Sequence, residues 1–127
     1  MGNHSNNKMT ILVVDDLATM RALVTECLEE SGYTVLPAAS GKEALETSNG
    51  TDAPIDLLLT DIEMDGMNGF SLAGLLLKQR PRMRVLFISG ERSQNSFGSI
   101  GQPSGQLFLQ KPFSPDELRA KVARLLS

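Results

Sequence analysis

Asp15 and Asp16 follow the apolar run Thr10–Val14 (TILVV), Asp61 follows Ile55–Thr60 (IDLLLT), Ser89 follows Arg84–Ile88 (RVLFI), and Lys111 comes just after Leu107–Leu109. These side chains suit one chemistry in combination, the capture of a phosphoryl group by a carboxylate. Asp61 would be the nucleophile, while Lys111 and Ser89 would donate to the phosphoryl oxygens. Carboxylates crowded together repel, so some must hold a proton or a cation must neutralise them. Oxygen ligands with no His or Cys nearby select a hard divalent ion, for which Mg²⁺ is the expectation, with Asp15, Asp16 and Asp61 as candidate ligands. Each residue alone has a plainer reading. Asp15 and Asp16 could merely begin a helix, Asp61 could lead into the Asp65-Gly66 turn, Lys111 could be a solvated surface lysine, and Ser89-Gly90 an ordinary turn. Their weight comes from convergence.

Convergence requires elements that deliver all of them to one edge. Met20, Leu23, Val24, Cys27 and Leu28 recur at helical spacing after the first run, and Gly32 stops that helix. Tyr33–Leu36 reads as a second strand, and Ser40-Gly41-Lys42-Glu43 has capping-box spacing for a second helix. Ile55–Thr60 is the third strand, Phe70–Gln79 a third helix stopped near Pro81, Arg84–Ile88 a fourth strand, and Leu107–Leu109 a short fifth. Ser114-Pro115-Asp116-Glu117 gives a last helix its N-cap, its Pro at the first position and its capping Glu, with Leu118, Val122, Leu125 and Leu126 as the apolar stripe. Arg92–Gln106, rich in Gly and Pro, is expected to hold a short or mobile fourth helix. Continuous apolar strands alternating with helices predict an α/β fold with a doubly wound parallel sheet covered on both faces. In such sheets ligands bind at the carboxyl ends of the strands, where these residues fall.

Composition narrows the function. A chain of 127 residues suits one domain, taken as 9–127 behind a disordered tail over 1–8 that includes His4. The net charge of −3, with basic residues scattered, argues against direct nucleic-acid or membrane-surface binding. No apolar run approaches the roughly 20 residues of a membrane span, and the polar start is unlike a secretory signal. A single Cys27 cannot form an internal disulfide, which fits the reducing cytoplasm.

The chain resembles the receiver domains of two-component response regulators over Met9–Ser127, through Asp15-Asp16, Asp61, Ser89 and Lys111-Pro112-Phe113 taken in order. The resemblance implies a flavodoxin-like, five-stranded parallel sheet of order 2-1-3-4-5 in a three-layer sandwich. It implies that Asp61 is phosphorylated from the phosphohistidine of a sensor histidine kinase or histidine phosphotransfer protein, or from a small phosphodonor. Asp16, Asp61 and the backbone carbonyl of Glu63 would ligate Mg²⁺, with Asp15 acting mainly through water. Ser89 would move inward on phosphorylation and Phe108, three residues before Lys111, would follow as the switch aromatic. A downstream effector would read the face built from the fourth and fifth strands and helices, and the protein would be a monomer or weak homodimer. A Lys-Pro bond such as Lys111-Pro112 can be cis, which would swing the lysine over the edge.

Departures from the family pattern carry their own expectations. Asp65 replaces a common Pro and loosens the loop without removing a ligand, and Glu63 places a carboxylate beside the phosphoryl group. Rival readings are a phosphorylation-independent interaction module, an aspartate-nucleophile phosphatase using Glu63 as its second acid, and a flavin-binding protein. The first would lack an acid or Lys111; the paired acids on strand one count against the second; and the acidic first loop suits a flavin phosphate poorly. The sequence stops after the last helix, as in a stand-alone receiver or one excised from a larger regulator, and Gln110–Pro115 resembles receivers of hybrid histidine kinases.

Overall fold

The computed structural model describes residues 8–90 and 108–127. The helix expected over Arg92–Gln106, Leu107 of the fifth strand, His4 and most of the expected tail lie outside those residues. The described elements run β1 (Thr10–Val14), α1 (Ala18–Glu30), β2 (Thr34–Ala38), α2 (Gly41–Asn49), β3 (Leu57–Asp61), α3 (Gly69–Gln79), β4 (Arg84–Ser89), β5 (Phe108–Gln110) and α4 (Pro115–Leu126). All strand pairs are parallel, in the order β2-β1-β3-β4-β5. This is the doubly wound sheet that the sequence pattern predicts, in the flavodoxin-like order that the resemblance implies.

The apolar runs are continuous because both faces of each central strand are buried. Ile11, Val13, Leu57, Leu59, Leu86 and Ile88 pack on one face against Val24, Cys27 and Leu28 of α1 and Leu118 and Val122 of α4. Leu12, Val14, Leu58 and Val85 pack on the other against Ala44 of α2 and Leu72, Ala73 and Leu76 of α3. The alternation follows from the two-residue period of a strand. Each fully buried Leu or Ile contributes about 1.5–3 kcal/mol, so these two layers hold the sheet edge rigid beneath the site.

The helix termini form as their sequences dictate. Ser114 Oγ accepts from the Glu117 N–H at 3.1 Å, and Glu117 Oε1 accepts from the Ser114 N–H at 2.8 Å. At α2, Ser40 Oγ accepts from the Glu43 N–H at 3.1 Å, but the Glu43 carboxylate reaches one residue further back, to the Ala39 N–H. Gly32 follows α1 at φ 98°, where a side chain would be strained, and its N–H donates to the Glu29 carbonyl at 3.0 Å.

Strand starts shift by one or two residues, β2 beginning at Thr34 rather than Tyr33 and β3 at Leu57 rather than Ile55, and two larger expectations need correction. Strand β2 continues through Pro37 to Ala38 rather than ending at Leu36. It is an edge strand, so a residue without an N–H can sit there facing away from β1. Leu23, assigned to the buried stripe of α1, is 62% exposed. Val24, Cys27 and Leu28 are the buried residues of α1, with Met20 partly packed beside them, and Leu23 falls outside that narrower stripe.

Candidate functional site

The site lies where β1, β3, β4 and β5 end together. Asp61 is the last residue of β3, fixed by pairing with Ile88 and by the Ile62 N–H donating to the Ile88 carbonyl at 3.1 Å. Thr60, fully buried, donates its hydroxyl to the Asp61 carbonyl at 2.9 Å. The following loop returns at once to this backbone: the Gly69 N–H donates to the Ile62 carbonyl at 2.9 Å. Helix α3 therefore begins in contact with the Asp61–Ile62 peptide. A Cβ at Gly69 would collide with the Asp61 carbonyl oxygen, so only glycine permits this approach.

Asp15, Asp16 and Asp61 each offer a carboxylate oxygen within 4.8 Å of the others. Asp15 and Asp61 are buried and Asp16 is exposed. Lys111 Nζ lies 3.5 Å from Asp61 Oδ2 across the edge. Its backbone N–H donates to the Ser89 carbonyl at 2.7 Å, which ties β5 to the end of β4, and the Lys111–Pro112 peptide is cis. Ser89 is buried at the end of β4, one position past the partner of Asp61 in the ladder. Glu63, half-buried, sits in the loop two residues beyond Asp61.

Burial pushes the Asp61 carboxyl above the usual carboxylate range; the Lys111 ammonium pulls it down, and Asp15 pushes it further up. Burial likewise raises Asp15, opposed by the hydrogen bond from the Leu17 N–H at 2.9 Å and by Lys111. Among the described residues the Lys111 ammonium and, more weakly, the Arg21 guanidinium act on three carboxylates, so the edge keeps a negative excess. Oxygen ligands in that state fit a hard divalent cation.

Phe108 occupies the first position of β5 and is half-buried. Its ring stacks on Phe87 with centroids 5.1 Å apart and lies 6.3 Å from Phe70, while Phe70 and Phe87 are 4.8 Å apart. Three rings from α3, β4 and β5 thus form one cluster beside the site. The sequence reading did not single out Phe70, Phe87 or Gly69. It also passed over Arg21, whose Nη1 donates to the Asp15 carbonyl at 2.7 Å. The available signal was an arginine one turn into a helix that starts from the acidic pair.

A cluster of acids with one lysine at the carboxyl edge of a 2-1-3-4-5 sheet is the arrangement of receiver domains in two-component signalling. The chain belongs to the response regulator receiver domain family, whose profile matches residues 11–123. It is 33% identical over 117 residues to the sensor kinase CckA of Brucella abortus, covering 92% of this chain and 12% of that kinase. It is 33% identical over 126 residues to a probable transcriptional regulatory protein of Picosynechococcus, covering 95% of this chain and 50% of that regulator. The chain therefore spans half or less of the length of these relatives. A response regulator receiver protein from Sinorhizobium medicae superposes with a TM-score of 0.81 at 30% identity, over 95% of this chain and 96% of that one. Receiver domains generally use Mg²⁺ at their phosphorylation site, and the acidic cluster fits that use. Among the described residues no helix is long and apolar enough to cross a membrane.

Proposed function

We propose that Asp61 accepts a phosphoryl group from the phosphohistidine of a sensor histidine kinase or histidine phosphotransfer protein, and that the protein works in the cytoplasm as a phosphorelay switch. The observation that carries this reading is Asp61 at the end of a buried strand, with two further acids and the Lys111 ammonium around its carboxylate. An Asp61 carboxylate oxygen forms the new O–P bond as the N–P bond breaks, and the imidazole leaves with that electron pair. Lys111 shifts from Asp61 to a phosphoryl oxygen, and the Ser89 hydroxyl donates to another. Asp16, Asp61 and the Glu63 carbonyl would hold Mg²⁺, with Asp15 behind them. A divalent ion held there would neutralise the acids and the charge on the phosphoryl oxygens.

The donor's polypeptide docks beside this edge. An apolar groove of about 170 Å³ runs between α1 and α4, lined by Met20, Leu23, Val24, Cys27, Pro112 and Phe113. Pro112 and Phe113 directly follow Lys111, so a helix seated there carries its phosphohistidine to Asp61.

Phosphorylation draws Ser89 inward and Phe108 follows, changing the face formed by β4, β5 and α4 that an effector reads. Glu63 alters the lifetime of the aspartyl phosphate, and residues 1–8 form a tail outside the 9–127 domain. Incubation with acetyl phosphate and Mg²⁺ tests the reading: intact mass should rise by one phosphoryl group in the wild type and not in Asp61→Asn. Equal gain in both, or none in either, overturns it. Dephosphorylation of Glu63→Ala at the wild-type rate removes the role given to Glu63.

A further inference from the structure

We infer that Arg21 is a positioning residue for the acidic pair. By holding the Asp15 carbonyl it fixes the peptide that carries Asp16, and so sets the affinity of the edge for a divalent cation. The inference rests on the Mg²⁺ reading of the site.

Asp15 is held at three points. Its N–H donates to the Ala38 carbonyl at 3.2 Å, its Oδ1 accepts from the Leu17 N–H at 2.9 Å, and its carbonyl accepts from Arg21 Nη1 at 2.7 Å. Asp16 is exposed, and among the described residues its carboxylate has one long contact, 3.4 Å from the Asp65 N–H. That contact lies beyond the ordinary range of an N–H···O bond, so it orients Asp16 weakly. The direction of Asp16 is therefore inherited from its backbone. The Asp15 carbonyl and the Asp16 N–H belong to one planar peptide unit, so a bond that fixes the carbonyl fixes where Asp16 starts. The Arg21 bond is short and charge-assisted, the stronger kind. Arg21 is itself anchored in α1, where its N–H donates to the Leu17 carbonyl at 2.9 Å.

Position and charge predict opposite signs. A guanidinium near a cation site repels the cation, so charge alone says that removing Arg21 tightens binding. A positioning role says that removal weakens it, because Asp16 is freed to wander from its partners.

Mg²⁺ titration of the unphosphorylated protein, followed by calorimetry or amide NMR, separates the two. Arg21→Met should weaken Mg²⁺ binding about tenfold, the low end of what loss of a partner behind a metal ligand costs. Arg21→Lys, which keeps a donor of similar reach, should stay within about twofold of wild type, since the hydrogen bond is what it preserves. If the Met variant does not fold, Arg21→Gln, polar but too short to reach the carbonyl, takes its place with the same expectation. Binding by the Met or Gln variant that equals or exceeds wild type overturns the positioning role and leaves the site reading intact. A wild type that takes up no Mg²⁺ overturns the site reading, and this inference with it.

Discussion

Replacing Gly69 with alanine tests how closely α3 is built against the phosphoacceptor strand. A Cβ there would strike the Asp61 carbonyl oxygen and lie 3.1 Å from Ile62 Cα and 3.2 Å from the Asp61 carbonyl carbon. All of these atoms are backbone, at the end of a strand buried on both faces, so no flexible side chain can yield. Overpacking of this kind costs about 1–3 kcal/mol. Alanine regains up to about 1 kcal/mol of helix propensity, and less at a first helical position. The net destabilisation should be about 1–2 kcal/mol. Gly74 supplies the control: it lies in the same helix, exposed, with nothing within 4 Å of an added Cβ. Gly74→Ala should stabilise by about 0.5–1 kcal/mol. In urea denaturation followed by circular dichroism, midpoints of the two variants should then differ by roughly 1 M for an m-value near 2 kcal/mol/M, on opposite sides of wild type. Gly69→Ala should also slow phosphorylation, since the displaced atom belongs to Asp61. A Gly69→Ala protein that unfolds at or above the wild-type midpoint would refute the close contact.

Three further outcomes follow from the site. Asp15 and Asp61 both have carboxyls raised by burial, so the folded state binds their protons more tightly than the unfolded state does. Without Mg²⁺, their contribution to stability should therefore fall as pH rises through the folded values and be most favourable as pH approaches 3.8. Urea midpoints across that range, compared between wild type and the Asp15→Asn/Asp61→Asn double variant, should show the slope flattened in the variant; an unchanged slope contradicts it. Lys111→Met removes the one ammonium at Asp61 and should slow phosphorylation by acetyl phosphate about a hundredfold, as loss of one oriented charge at a transition state does; a rate within a factor of about two would contradict the clamp. Leu23→Asp on the groove should impair transfer from a phosphorylated histidine kinase about tenfold, a typical loss for a central apolar contact, while leaving acetyl phosphate reactivity unchanged. Equal impairment with both donors would place the effect on folding rather than docking.

The sequence carried the fold and the edge because both rest on local signals. Four-residue apolar stretches such as Ile11–Val14 announce strands buried on both faces, and the capping pattern at Ser114–Glu117 announces a helix start. The edge residues were legible because the acids and Ser89 stand at the ends of such strands and Lys111 comes just after the short β5. What escaped depends on which neighbour an element meets. Pro37 looks like a strand stop until β2 is known to be the edge, and Leu23 looks buried until α1 is seated on the sheet. The contacts of Arg21 with the Asp15 carbonyl and of Gly69 with the Asp61 carbonyl join side chain or Cα to backbone, and backbone carbonyls leave no mark in the residue pattern. The aromatic cluster of Phe70, Phe87 and Phe108 draws on three elements and becomes visible only with strand order in hand.

The central claim is that Asp61, among the three clustered acids, is the one that takes the phosphoryl group. Borohydride reduces an acyl phosphate to the alcohol, so treatment after acetyl phosphate and Mg²⁺ converts a phosphorylated aspartate into homoserine that fragmentation mass spectrometry can locate. Homoserine should appear at position 61 alone, dependent on Mg²⁺. Homoserine at position 15 or 16, or none at any of the three, would contradict it.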